Sequence, residues 1–154
     1  MAYGDNGRYE PEEEDIEEAL RIAQGTKFVE KMDGTYEARI SQGGSNISGG
    51  QKQRLSIARA ICRKPEIYIF DDSFSALDYK TDRVLRSALK SEVGDDTVMI
   101  VAQRIGTIRD ADRIIVLEDG AIVGNGTHKD LMQNCYVYRE IAYSQLTKEE
   151  LENA

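Results

Sequence analysis

The sequence predicts an α/β fold with parallel strands, and three observations carry that prediction. Glu66 to Phe70 is a short apolar run rich in β-branched and aromatic residues; it follows Pro65, ends in Asp71-Asp72 and reads as a buried strand. A second strand is expected over 97–102, where Val98 to Ala102 is the longest unbroken apolar run of the chain. Between them residues 79–91 read as a helix. Strand–helix–strand order at this spacing implies parallel β-structure with right-handed crossovers.

The remaining elements follow in order. Glu12 to Gln24 places Ile16, Ala19, Leu20 and Ala23 on one buried stripe, with Gly25 as its end. The acidic run Glu10 to Glu18 reads as a solvated helix start, not a metal site. Acid in a first turn suits the helix dipole, and Pro11 suits the first helical position. Gln42-Gly43-Gly44-Ser45 is a Gly/Ser-rich approach to a helix opening at Ser48, with Leu55, Ala58, Ile61 and Cys62 on one face. After the second strand come a short helix near 104–109 and hairpin strands over 112–117 and 121–125. Thr127 with Asp130 has the spacing of a capping box. A last helix carries Val137, Ile141 and Leu146 near its buried side. Tyr136, Tyr138 and Tyr143 read as packing of that amphipathic helix, with an aromatic binding surface as the alternative. His128, the single histidine, reads as a surface residue.

Composition narrows the classes. The chain has 154 residues, enough for one modest domain, and a formal charge of −8. An acidic chain has no general electrostatic attraction to nucleic acid or to an anionic membrane surface, so no nucleic-acid partner is expected. Cys62 and Cys135 lie far apart with no C-x-x-C pattern, which suits free thiols better than a zinc site or a disulfide framework. No signal-peptide pattern, internal repeat or low-complexity linker is visible. The longest apolar run is far too short to cross a bilayer.

Two motifs carry chemistry. The first is Asn46-Ile47-Ser48-Gly49-Gly50-Gln51-Lys52-Gln53-Arg54. Ser48 is a good N-cap, and the helix start behind it presents free N–H groups and the positive end of a dipole, which glycines let a phosphate approach closely. The second is Asp71-Asp72 at a strand's carboxyl end, where ligands sit in open α/β sheets; Asp71 is placed to hold a Mg²⁺ beside nucleotide phosphates. Alone, each is a turn. The pair, in this order and twenty residues apart, resembles the signature motif and Walker B strand of the ATP-binding-cassette (ABC) ATPases.

The resemblance extends over almost the whole chain. Ser75-Ala76-Leu77-Asp78 is similar to the D-loop, and Val101-Ala102-Gln103-Arg104 falls where the family has its switch. Residues 113–120 and 121–128 resemble the closing hairpin, and Glu12 to Gln24 with Phe28-Val29 resembles the helical subdomain. The wording is most similar to multidrug-type exporters. No G-x-x-x-x-G-K-[ST] occurs, and neither an adenine-stacking segment nor a Q-loop is present. The resemblance therefore implies the C-terminal half of an ATPase domain beginning just after the Q-loop at Ala2-Tyr3-Gly4-Asp5, with Met1 an artificial or alternative start. Residues 1–48 would lead through the helical subdomain to the signature, and 49–154 would form the C-terminal part of the ATPase core, a partial P-loop NTPase. The family's Walker A strand lies between the 97–102 and 112–117 strands, so two exposed strand edges are expected.

What the resemblance implies for function is specific. Ser48, Gly49, Gly50, Gln51 and Asp78 contact nucleotide, Asp71 holds Mg²⁺, and Asp72 and Gln103 occupy the catalytic positions. The family usually has Glu where Asp72 stands and His where Gln103 stands. Asp withdraws the carboxylate by about 1.5 Å, and Gln can bind a phosphate but carry no charge. Gln42 replaces an acidic residue that exporters often carry. The two catalytic replacements imply the degenerate half of a heterodimeric exporter, with ATP and Mg²⁺ as cofactors, and a second ATPase domain and a transmembrane domain as partners. Its place would be the cytoplasmic side of the plasma membrane. The 154-residue chain by itself is expected to be soluble and inactive. The other readings are the C-terminal lobe of a chromosome-maintenance or DNA-repair ATPase, disfavoured by the lack of a heptad coiled coil, and a non-enzymatic docking fragment.

Overall fold

The computed structural model describes residues 11–94 and 96–147. The expected junction at Ala2-Tyr3-Gly4-Asp5 lies outside them. The chain forms two compact units, divided between Val101 and Ala102.

The first unit opens with α1 (Glu13–Ile22). The Glu12 amide donates to the Asp15 carboxylate at 2.9 Å, so Glu12 is the cap and Pro11 precedes the helix instead of starting it. Gln24, at φ 57°, makes the left-handed turn at the helix end. Gly25 comes one residue later and its N–H donates to the Leu20 carbonyl at 2.7 Å, closing a Schellman motif. The short α2 (Thr26–Val29) follows, then two 3₁₀ turns and α3 (Gly49–Ile61). Ile57, Ala58, Ile61 and Cys62 face the core and Leu55 packs at its margin. Helices α1 and α3 pack together, so the segment before Ser48 and the helix after it share one core.

Strand β1 (Ile67–Asp71) pairs in parallel with β2 (Thr97–Val101) across α4 (Tyr79–Glu92), as the spacing predicts. Burial differs from the expectation. Tyr68 and Phe70 are buried against the helices, whereas Ile67 and Ile69 are exposed, as are Met99 and Val101 on β2. A continuous apolar run implies cover on both faces. Within this unit's described residues only one face has it, because α1, α3 and α4 all contribute to the same core.

The second unit contains α5 (Ile105–Ile108), β3 (Ile114–Glu118), β4 (Ala121–Gly126), α6 (His128–Asn134) and α7 (Tyr136–Gln145). The hairpin is antiparallel, with an irregularity between Val116 and Leu117. Among the described residues no ladder joins it to β1–β2, so the β-structure is two separate pairs. The Thr127–Asp130 capping box is present. Two expectations are corrected. His128 is buried, not on the surface, because α6 turns it under α7, where Nδ1 lies 2.8 Å from the Tyr138 hydroxyl. Of the three tyrosines only Tyr138 packs; Tyr136 and Tyr143 face outward, and Val137, Ile141 and Leu146 are partly buried around it. Both cysteines are free and buried. No helix among the described residues is long and apolar enough to cross a membrane.

Candidate functional site

The first unit gathers most of the expected site residues around the start of α3. Ser48 is the N-cap, in extended conformation at ψ 162°. Its hydroxyl accepts from the Gln51 amide at 3.2 Å, and the Gln51 side-chain oxygen accepts from the Ser48 amide at 2.8 Å. This reciprocal box holds the turn without a ligand. Gln51, expected to contact nucleotide, is thus engaged in building the loop. The Ser48 hydroxyl still has its proton to donate. Gly49 and Gly50 occupy the first helical positions, where N–H groups have no intrahelical acceptor. Together these groups suit an anion such as a phosphate.

The glycines also make room. A Cβ on Gly50 would lie 3.0 Å from the Ala76 carbonyl oxygen, and one on Gly49 3.7 Å from the Ala76 side chain. The segment after β1 therefore runs directly against the signature turn. Gln53 holds it there: its Nε2 donates to the Asp72 carbonyl at 3.1 Å and to Ser75 Oγ at 3.0 Å, and its Oε1 accepts from the Ala76 amide at 2.8 Å. Arg54 ties the other side, donating to the Gly50 carbonyl at 3.2 Å and the Gln24 carbonyl at 2.7 Å while lying 4.8 Å over the Phe28 ring. The sequence reading missed both roles. The only local signal was the polar run Lys52-Gln53-Arg54 that follows the Ser-Gly-Gly-Gln turn.

Asp71 is exposed at the carboxyl end of β1, as expected. Among the described residues no three His, Cys, Asp or Glu side chains gather into a metal cage. A lone carboxylate suits Mg²⁺, which keeps waters and phosphate oxygens as its other ligands. Asp72 is exposed and sits at φ 46°, a strained conformation for a non-glycine residue. Its amide donates to the Val101 carbonyl at 3.0 Å and its carbonyl accepts from Gln53, so the backbone is held from two sides and the carboxylate is left to the solvent. Asp78 caps α4: its carboxylate accepts from the Thr81 hydroxyl at 2.7 Å and the Thr81 amide at 3.0 Å, and these bonds hold it below the usual carboxylate range. Its carboxylate is thus engaged in capping.

Gln103 belongs to the second unit and is exposed. Gln145, near the end of α7, donates from Nε2 to the Gln103 carbonyl at 2.8 Å and accepts from the Ile105 amide at 2.9 Å. One carboxamide thereby fixes the backbone around Gln103, a long-range tie with no sequence signal.

Residues 5–75 match the family model described as ABC transporter. An uncharacterised ABC transporter ATP-binding protein of Mycobacterium tuberculosis is 47% identical over 145 residues, 94% of this chain and 25% of that protein. The chain belongs to the ABC transporter ATP-binding family. The ATP-dependent lipid A-core flippase of Escherichia coli is 41% identical over 141 residues, 92% of this chain and 24% of that protein. The fold matches a bacterial Atm1-family ABC exporter solved with ATP bound, at a TM-score of 0.87 and 31% identity over 96% of this chain and 25% of the other. The chain thus spans about a quarter of the length of these relatives. It is ATP-binding sequence of the exporter type, with the mixed helix–strand fold of a partial ABC ATPase.

Proposed function

We propose that this chain is the C-terminal part of an ATP-binding subunit of an ABC exporter, coupling ATP binding and hydrolysis to the export of a substrate. It works opposite a second, different ATPase domain, beneath a transmembrane domain on the cytoplasmic side of the membrane. Ser48, Gly49 and Gly50 complete the partner's ATP site by donating to its phosphate. Asp71 holds Mg²⁺ at this subunit's own site, where Asp72 and Gln103 stand in for stronger catalytic groups. Mg²⁺–ATP, when bound, would supply the phosphoryl chemistry and the metal's charge; these side chains would position it.

The observation that carries this reading is the signature turn. Its capping box is closed, its first amides are unpaired within the helix, and its glycines let the segment after β1 pack close against it. Asp72 adds the asymmetry, since a carboxylate one methylene short is poorly placed to polarise water.

The test is steady-state ATP hydrolysis by the reconstituted heterodimer. Ser48→Arg blocks the phosphate position and removes a donor, a loss on the order of 100-fold. Asp72→Asn is expected to leave most turnover intact, because its site contributes little. If Asp72→Asn abolishes turnover while Ser48→Arg is tolerated, this chain is not the degenerate, signature-donating half.

A further inference from the structure

Gln53 lies five residues beyond Ser48 on α3, yet all three of its hydrogen bonds reach the segment 72–76, across 19 to 23 residues of chain. Both ends of its carboxamide are engaged, so the side chain has one orientation. What it grips is the turn just after β1. Asp72 stands there in the left-handed region, and Ser75 Oγ also donates to the Asp72 carbonyl at 3.0 Å. The same turn runs close beside the signature glycines: a Cβ added to Gly50 would lie 3.0 Å from the Ala76 carbonyl oxygen. Two pieces of backbone with different tasks thus meet through one side chain.

We propose that Gln53 is a positioning residue that makes the signature turn (Ser48 to Gly50) and the turn carrying Asp72 move as one body. This deepens the functional reading above, on which it rests: the signature turn serves the partner's ATP site and Asp72 serves this subunit's own. Gln53 is then the physical link by which a displacement at one site is felt at the other. It acts through the turn it holds, by two bonds to backbone and one to the Ser75 hydroxyl. Neither Arg54 nor the capping box can substitute, because their bonds run to Gln24, to Gly50 and within Ser48–Gln51.

Gln53→Leu removes all three bonds at similar volume. Gln53→Glu keeps the acceptor for the Ala76 amide but loses the Nε2 donor, and should fall between Leu and the parent. In the full transporter without nucleotide, hydrogen–deuterium exchange of the 73–77 segment should accelerate in Gln53→Leu while amides of Glu13–Ile22 stay as protected as in the parent. With ATP, kcat should fall about 10-fold or more, since displacements approaching 1 Å cost up to about 100-fold, while KM for ATP stays near the parent value. The proposal is overturned if exchange over 73–77 is unchanged, if α1 loses protection in parallel, or if exchange rises locally with kcat intact. The nucleotide-free exchange result does not depend on which site hydrolyses ATP. A failure there is therefore distinct from failure of the Ser48 and Asp72 assignment.

Discussion

Tyr138→Phe removes one oxygen and is expected to destabilise the second unit by about 1–3 kcal/mol, the usual cost of orphaning a buried polar group. His128 is 8% exposed, its Nδ1 is 2.8 Å from the Tyr138 hydroxyl, and its buried Nε2 has no hydrogen-bond partner. Without the hydroxyl, neither ring nitrogen is paired. His128→Phe combined with Tyr138→Phe removes both polar groups and keeps an edge-to-face ring pair, now 5.6 Å apart at 69°. The double variant should therefore be more stable than Tyr138→Phe alone. Acid acts on the same site. Burial first, and the Arg109 charge second, hold His128 below its ordinary 6.5, with Asp110 opposing. Below pH 6.5 the unfolded chain takes up a proton that the native site resists. Stability from this site is thus full above 6.5 and falls as pH drops towards the lower native value. One proton gives at most about 1.4 kcal/mol per pH unit. Burial pushes the Tyr138 hydroxyl up to about 12, so it stays protonated throughout. Native-state hydrogen exchange of α7 amides, corrected for intrinsic exchange chemistry, measures these changes. A Tyr138→Phe effect below about 0.5 kcal/mol, typical of surface sites, or a double variant worse than the single, would refute the reasoning.

Three further outcomes are expected. The 154-residue chain by itself should bind Mg²⁺–ATP more weakly than about 1 mM, under ~4 kcal/mol, since no Walker A lysine or amide cradle occurs in its sequence; micromolar binding by calorimetry would contradict this. The bare apolar face of β1–β2, with Ile67, Ile69, Met99 and Val101 at 60, 66, 55 and 52% exposure, should drive self-association of that chain. Charging the cross-strand pair, Ile69→Lys with Met99→Glu, should shift sedimentation towards monomer, and no shift would count against that face. Gly124→Ala should cost about 1–3 kcal/mol by overpacking. Its Cβ would meet Cys135 Sγ at 2.8 Å and Leu131 Cδ2 at 2.9 Å, and unchanged α6 exchange protection would show the site can relax.

The sequence by itself determined the elements and the family. Periodicity placed α1, α3, α4 and the strands. Ser48 and Thr127 announced their helix starts because a capping box is local, written within four residues. The signature and Walker B motifs were legible for the same reason. Only the tertiary structure decided which apolar residues are covered. Ile67 and Ile69 read as core like Tyr68 and Phe70, yet the helices pack on one face only. It also decided His128, whose burial depends on α7 folding back over α6. The ties made by Gln53, Arg54 and Gln145 were illegible, because a carboxamide or guanidinium has no periodicity and its partners lie 19 to 42 residues away. Local hydrogen bonds are encoded where they are made; long-range ones exist only once the chain has closed on itself.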